Sequence, residues 1–208
     1  MNRKMLMVAA AASLAVLSLA ACGGGSGSGS GADGPLKIGT EGTYAPFTFH
    51  DKASNKLTGY DIEVADAVAK KLGRKVEYSE TTFDSIFAGL AAKRYDVVAN
   101  QISVTPARQA KYAFSQPYTV STGVVVTRAD DSSVRSASDI RGKKSAQSAT
   151  SNWAEAARNA GAKVDAVEGF SQAVTLLKQR RVDITINDNL AVLDYLKSSG
   201  DTGVKIAA

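Results

Sequence analysis

A few polar residues stand where an α/β chain can put them to work. Arg108 follows the strand-like run Tyr95–Ile102 and sits in the first turns of a helix that Thr105 caps and Pro106 opens. Asp188 follows the strand-like run Val182–Ile186, Glu41 follows Leu36–Thr40, and Thr150 and Ser151 precede a helix beginning near Asn152. Ligands of open α/β sheets bind beyond the carboxyl ends of strands. Helix N-termini offer unpaired N–H groups to anions, and a guanidinium grips a carboxylate with two parallel bonds. A carboxylate does the converse for a cation. Each position also has a plainer reading: a solvated helix arginine at Arg108, an N-cap at Asp188, simple capping at Thr150 and Ser151. Other chemistries are poorly served. The only histidine, His50, lies in the loop HDKASNK, where it reads as a surface residue and gives little support to a His-dependent triad or a His metal site. The only cysteine, Cys22, excludes an internal disulfide framework and a thiolate metal cluster. No metal and no cofactor are expected.

The elements that must position these residues belong to a chain of 208 residues, 44% hydrophobic and 22% charged, which fits a soluble globular protein of one large or two small domains. Net charge is +5, and without Arg3 and Lys4 the balance is 23 basic against 20 acidic residues. The basic residues are scattered (Lys70, Lys71, Arg74, Lys75, Arg94, Lys111) and read as solvated faces, without the aromatic interleaving of a nucleic-acid platform. No nucleic-acid partner is expected.

Residues 1–21 have a short basic start, an apolar run from Met5 to Leu19 and small residues before Cys22, the layout of a secretory signal peptide. The run is shorter than the ~20 residues of a spanning helix. Leu19-Ala20-Ala21-Cys22 resembles the bacterial lipobox, in which the cut falls before a cysteine that receives diacylglycerol; the alternative is an ordinary signal with a cysteine nearby. Gly23–Gly34 holds only Gly, Ser, Ala and Asp. It has nothing to bury and reads as a flexible linker over 22–34. The folded part then starts near Leu36, outside the cytoplasmic membrane and anchored to it by lipid.

Beyond that point strands alternate with helices. Strands are expected at Leu36–Thr40, Lys75–Ser79, Tyr95–Ile102, Gly123–Thr127, Lys143–Gln147, Lys163–Val167 and Val182–Ile186. Helices are expected over Asp61–Leu72, around Phe83–Leu90, from Thr105 through Tyr112, from Asn152 (with Glu155 at capping-box spacing) to Gly161, over Phe170–Leu177 and over Leu190–Lys197. The alternation predicts βαβ units and largely parallel sheets. Pro117-Tyr118 and the polar stretch after it mark a boundary between two lobes.

The run GYDIEV from Gly59 to Val64, continued through Val68 and Ala69 to Leu72, resembles the signature helix of the family 3 solute-binding proteins, receptors of polar amino-acid ABC importers. GTYAPF (Gly42–Phe47), DVVANQISVTPAR (Asp96–Arg108), FSQPY (Phe114–Tyr118) and DITINDN (Asp183–Asn189) agree with it in order. GTEGTYAPFTFHD and KKSAQSATSNWAE look most like the cystine-binding branch. The resemblance implies an α/β fold of the periplasmic-binding-protein type II, with two α/β lobes, a hinge crossover and a ligand cleft that closes. Lobe 1 is expected over 35–118, and the hinge and lobe 2 over 119–208. It also implies a returning C-terminal part of lobe 1 that is missing here, which would leave core of lobe 1 exposed.

A free amino acid presents an α-carboxylate and an α-ammonium, and both must be paired in a cleft that excludes water. By the resemblance, Arg108 grips the carboxylate and Thr150 and Ser151 complete that site from lobe 2. Asp188 binds the ammonium; the Gln101 carbonyl and the Ser103 hydroxyl contact the same groups, Ser103 otherwise being a turn hydroxyl. Tyr44 and Phe83 flank the ligand, Phe83 otherwise being core. Glu41 meets the ammonium or a polar ligand side chain. Trp153 and Phe47 read as core or cleft wall. The implied protein is a monomeric, non-enzymatic receptor that delivers its amino acid to a permease. The alternatives are a dehydratase-like enzyme on the same fold and the sensor domain of a signalling receptor.

Overall fold

The computed structural model describes residues 34–208. The expected signal peptide, Cys22 and all of the linker except Gly34 lie outside the described residues.

The chain begins with β1 (Leu36–Thr40), of which only Lys37 reaches solvent. A small antiparallel meander follows, with β2 (Thr43–Tyr44), β3 (Thr48–His50) and β4 (Leu57–Thr58). It leads into α1 (Tyr60–Lys71), β5 (Val76–Glu80), α2 (Phe83–Ala91), β6 (Val97–Val98) and the short α3 (Pro106–Gln109). Helix α1 starts on Gly59, at φ 123°, where a Cβ would collide with the Phe47 carbonyl. Only glycine lets the helix begin this close to the meander. The sheet of lobe 1 has the order β5-β1-β6, all parallel, over a core of Leu36, Ile38, Ala69 and Ala99.

After an irregular crossing segment the second lobe comprises β7 (Gly123–Arg128), a 3-10 turn (Ala137–Ile140), β8 (Lys144–Gln147), α4 (Asn152–Asn159), β9 (Lys163–Ala166), α5 (Phe170–Lys178), β10 (Thr185–Asp188), α6 (Asn189–Ser199) and β11 (Val204–Ile206). Strands β8 and β9 pair in parallel, and a parallel bridge from Ser145 to Ile184 joins them to the second sheet, β10-β7-β11. Adjacent residues of β7 point to opposite faces. Val126 packs with Val174, Leu177 and Val192 on one side, while Val125 packs with Ala157 and Ile184 on the other. Helices thus cover both faces of this sheet.

The β5-β1-β6 sheet of lobe 1 is parallel as expected, but the β2-β3-β4 meander is antiparallel and β7 runs antiparallel to both its neighbours. The sequence β10-α6-β11 is a βαβ crossover in the expected sense, and β7, entered from the other lobe, slots between its two strands. The expected strand Tyr95–Ile102 pairs only at Val97–Val98, because Gln101 turns the backbone at φ 47°. The expected strand Val182–Ile186 instead pairs over Thr185–Asp188. Helix α3 ends at Gln109, well short of Tyr112. Ser151, whose hydroxyl accepts the Ala154 N–H at 3.0 Å, caps α4, so Asn152 lies one residue inside the helix. Beside β6, Val97, Val104 and Val120 stay exposed around an open groove of about 420 Å³.

Candidate functional site

The carboxyl ends of β1 and β10, with the loops after β6 and β8, face one another across a cleft between the lobes. Of the residues singled out in the sequence, Glu41, Tyr44, Phe83, Gln101, Ser151 and Asp188 line it, with Trp153. Phe47 is buried beside Tyr44, with ring centroids 5.3 Å apart. Ser103, Arg108 and Thr150 lie outside the lining. Ser103 borders the groove beside β6, and the other two are accounted for below.

Asp188 ends β10 and is the N-cap residue of α6, yet its side chain caps nothing. It turns into the cleft and is only 6% exposed. Its carboxylate accepts the Tyr44 hydroxyl at 2.7 Å, the Ser121 hydroxyl at 2.5 Å and the Trp153 indole N–H at 3.4 Å. All three donors are neutral, and among the described residues Asp188 has no cationic partner. The Tyr44 hydroxyl, from lobe 1, is also 2.6 Å from Asn187 Oδ1. Burial and the adjacent Asp188 charge push the Tyr44 pKa far up, so it remains a donor.

On the opposite wall Glu41 accepts the Asn100 side-chain amide at 2.6 Å, while Asn100 Oδ1 accepts the Glu41 N–H at 2.8 Å. Burial raises the Glu41 pKa; the bond from Asn100 opposes this and the charge of Asp84 adds to it. Arg108 is half-buried. Its guanidinium lies 5.2 Å from the Phe87 ring centroid and 5.7 Å from that of Phe83, and donates to the Ser103 carbonyl at 3.1 Å. Burial lowers its pKa, and it forms no salt bridge among the described residues. A desolvated cation held by ring faces and one carbonyl is still short of an anion.

Two carboxylates given no site role from the sequence organise this site. Asp84, in the first turn of α2, reaches across to lobe 2. It accepts the Thr150 N–H at 2.9 Å, the Thr150 hydroxyl at 2.7 Å and the Ala149 N–H at 3.1 Å. The donors assigned to a ligand carboxylate are therefore taken up by lobe 1. Asp61 is fully buried and accepts the Gln101 N–H at 2.6 Å, the Gln101 side-chain amide at 2.8 Å and the Tyr118 hydroxyl at 3.1 Å. It holds Gln101 in its left-handed conformation, which costs energy for a residue with a Cβ. Sequence signals were slight: Asp84 looks like an ordinary first-turn acid, and Asp61 like a helix-start acid.

Residues 36–150 match the model of the bacterial extracellular solute-binding proteins, family 3, and the chain belongs to that family. It is 59% identical over 174 residues to the L-cystine-binding protein TcyA of Bacillus subtilis, a match covering 84% of this chain and 65% of that protein. A probable amino-acid ABC transporter-binding protein of Haemophilus influenzae is 57% identical over 172 residues, covering 83% of this chain and 66% of its own length. The chain therefore spans slightly less than two thirds of these relatives. Among solved structures, an ancestral arginine-binding protein bound to arginine superposes with a TM-score of 0.78 at 38% identity, covering 84% of this chain and 79% of that one. The unliganded, open L-cystine receptor of Neisseria gonorrhoeae is 55% identical but scores 0.51, covering 84% and 73%. A rotation between lobes lowers a whole-chain score while leaving each lobe alike. The present chain, with Tyr44 on Asp188 and Asp84 on Thr150, has its lobes in contact.

Asp84→Ala removes three lobe-to-lobe bonds on a solvent-exposed rim, and should weaken ligand affinity about tenfold while leaving the thermal melt unchanged. The fluorescence of Trp153, the single tryptophan, provides the titration signal. Equal or tighter binding would mean that the Thr150 donors serve the ligand instead. Glu41→Gln should raise the melting temperature of the ligand-free protein at neutral pH by a few degrees. A raised pKa means that the folded state holds the proton more readily than the unfolded one. The wild type is thus least stable above that raised value and recovers as pH falls through it towards 4.5, so the advantage of the variant should vanish there. A pH-independent difference would refute this.

Proposed function

We propose that this chain is the extracytoplasmic substrate-binding component of an ABC importer, which captures a polar amino acid by cleft closure and delivers it to a permease. The observation that carries the reading is Asp188, a carboxylate almost wholly buried at the cleft and held only by neutral donors. An ammonium is the group that completes such a site. Arg108, desolvated and without an acidic partner among the described residues, is the counterpart for the α-carboxylate, with Ser103, Gln101 and Ser151 as further donors and acceptors, while Thr150 acts through its bonds to Asp84. Tyr44 and Phe83 flank the ligand.

Cystine is the ligand we favour. It carries an ammonium and a carboxylate at each end, and Glu41 on the opposite wall offers a second carboxylate for the second ammonium. The names of the relatives in Bacillus subtilis and Neisseria gonorrhoeae support the same choice. The receptor works as a monomer and does no chemistry on its ligand. In keeping with that, His50 is tied to Glu80 at 2.9 Å and to the Asn55 carbonyl at 3.0 Å, away from the cleft lining. Cys22 carries the lipid that anchors the chain after removal of residues 1–21.

Calorimetry against a panel of amino acids should find one tight 1:1 ligand that is recovered unchanged. Turnover of that ligand would sink the receptor reading in favour of an enzyme. Arg108→Ala should abolish binding, and near-native affinity would refute its role. For the anchor, Cys22→Ser should release the chain from membranes in cells; normal retention would count against lipidation.

A further inference from the structure

The sheet of lobe 1 has a second end, away from the cleft. Strands β1 and β5 start side by side at Leu36 and Val76, and β6 joins β1 where Val97 faces Ile38. Because the strands are parallel, α1 and α2 run back against them and finish at the strand starts. The last turn of α1 carries Lys70 and Lys71, the link from it to β5 carries Arg74 and Lys75, and the turn from α2 to β6 carries Lys93 and Arg94. Direct contacts tie these turns together. The Lys75 carbonyl accepts the Leu36 N–H at 2.7 Å, and the Lys37 carbonyl accepts the Asp96 N–H at 2.8 Å. Arg74 donates to the carbonyls of Gly34 and Pro35, both at 2.9 Å.

Residues that look scattered in the sequence are thus gathered at one pole. The acids among them are Asp96, held by Arg74 at 3.5 Å, and Glu77, paired in register with Lys37. The other lysines here and Arg94 are exposed and form no ion pair among the described residues. Leu72, 61% exposed, stands among them. The dipole of α1 favours Lys70 and Lys71 at its C-terminus, but it offers no reason for Lys37 or Lys75.

We infer that this pole is a docking surface for anionic phospholipid headgroups. Residues 1–33 join the folded body at this face, through the Gly34 and Pro35 carbonyls that Arg74 holds. In the unprocessed chain they include the apolar run Met5–Leu19, and before and after processing they include a Gly/Ser tract whose composition gives an r.m.s. reach of ~20 Å. A basic cluster kept that close to an anionic leaflet is drawn to it within a Debye length, and an exposed leucine among the bases suits the headgroup boundary. Docked this way, the strand ends that line the cleft point away from the bilayer. The inference rests on the proposed function only in that the N-terminus is held at a membrane.

The full chain, synthesised in the presence of vesicles, is treated with a water-soluble amine-acetylating reagent and mapped by mass spectrometry. Vesicles of phosphatidylcholine alone are compared with vesicles roughly one-third phosphatidylglycerol. Lys70, Lys71, Lys75 and Lys93 should be acetylated about fivefold more slowly on the anionic vesicles, with protection lost at high salt. Lys163 and Lys197 of lobe 2 should not change. In a Lys70→Gln, Lys71→Gln, Lys75→Gln variant with an unaltered melt, Lys93 should lose its protection. Equal labelling on both vesicle types, or protection that survives in the variant, overturns the docking surface while leaving the membrane-held N-terminus intact. Failure to float with either vesicle overturns both. Protection conferred by polyglutamate and not by phosphatidylglycerol would make the partner an acidic protein and also overturn it.

Discussion

A carboxylate shut away from water must be given donors, a cation or a proton. Three carboxylates around this cleft meet that demand in different ways, and the rest of the structure follows from the differences. Asp61 is satisfied within the fold by two bonds from Gln101 and one from Tyr118. Burial raises its pKa and those bonds pull it back, which is the balance of a structural acid. Glu41 has one side-chain donor, Asn100, and its pKa rises. Asp188 collects neutral donors from three separate elements and no cation. The first is closed to further partners, while the other two remain short of positive charge on opposite walls of one cleft.

The same carboxylates fix the segment that joins the lobes. On the lobe 1 side Tyr118 donates to Asp61, Tyr60 donates to the Tyr118 carbonyl at 3.0 Å, and Gln101 donates to Thr119 at 3.1 Å. On the lobe 2 side Ser121 donates to Asp188, and the Asn189 N–H bonds the Thr122 carbonyl at 2.8 Å. Five consecutive residues, Tyr118 to Thr122, are therefore held at one end by a structural acid and at the other by a site acid. If Asp188 takes a ligand ammonium as proposed, that ammonium competes with Ser121 and Tyr44 for the same oxygens. On that reading, occupancy of the site and the conformation of the crossing segment are coupled through shared atoms, with no longer pathway required.

Much of this was legible in the sequence, and the limits are physical. The helices with a sustained apolar period, α1, α2 and α5, and the strands β1 and β7 were readable because local pattern and burial agree. Asp188 was readable because a strand followed directly by a helix puts its last residue at a sheet's carboxyl edge. Asp84 was not, because nothing local distinguishes a first-turn aspartate facing solvent from one facing another lobe. The antiparallel run of β7 was hidden for a similar reason: direction depends on which lobe the chain comes from, and periodicity carries no sign. At α4 both Ser151 and Asn152 are good capping residues, and the choice of Ser151 depends on where the preceding loop leaves the backbone. The basic residues at the lobe 1 pole are far apart in the chain and become neighbours only once parallel strands bring successive helix ends together.

Under the proposed function, the lobe-to-lobe contacts bear on how tightly the cleft can hold a ligand. Affinity is diluted by whatever fraction of the receptor is not in the binding-competent arrangement. Tyr44 reaching Asn187 and Asp188, and Asp84 reaching Thr150 and Ala149, favour lobe contact before any ligand contributes. The two sets differ in what they leave for the ligand. Asp84 and Thr150 are both exposed, so their bonds compete with water and each is weak, but nothing at that rim needs desolvating again when a ligand enters. Tyr44 sits on Asp188 itself and, on the proposed reading, must yield some of that carboxylate to an incoming ammonium. An ammonium in place of a neutral hydroxyl is a favourable exchange in a low-dielectric cleft. Under the proposed function the arrangement therefore divides the work: the rim aspartate biases the lobes towards contact, and the buried aspartate reserves its strongest interaction for the ligand.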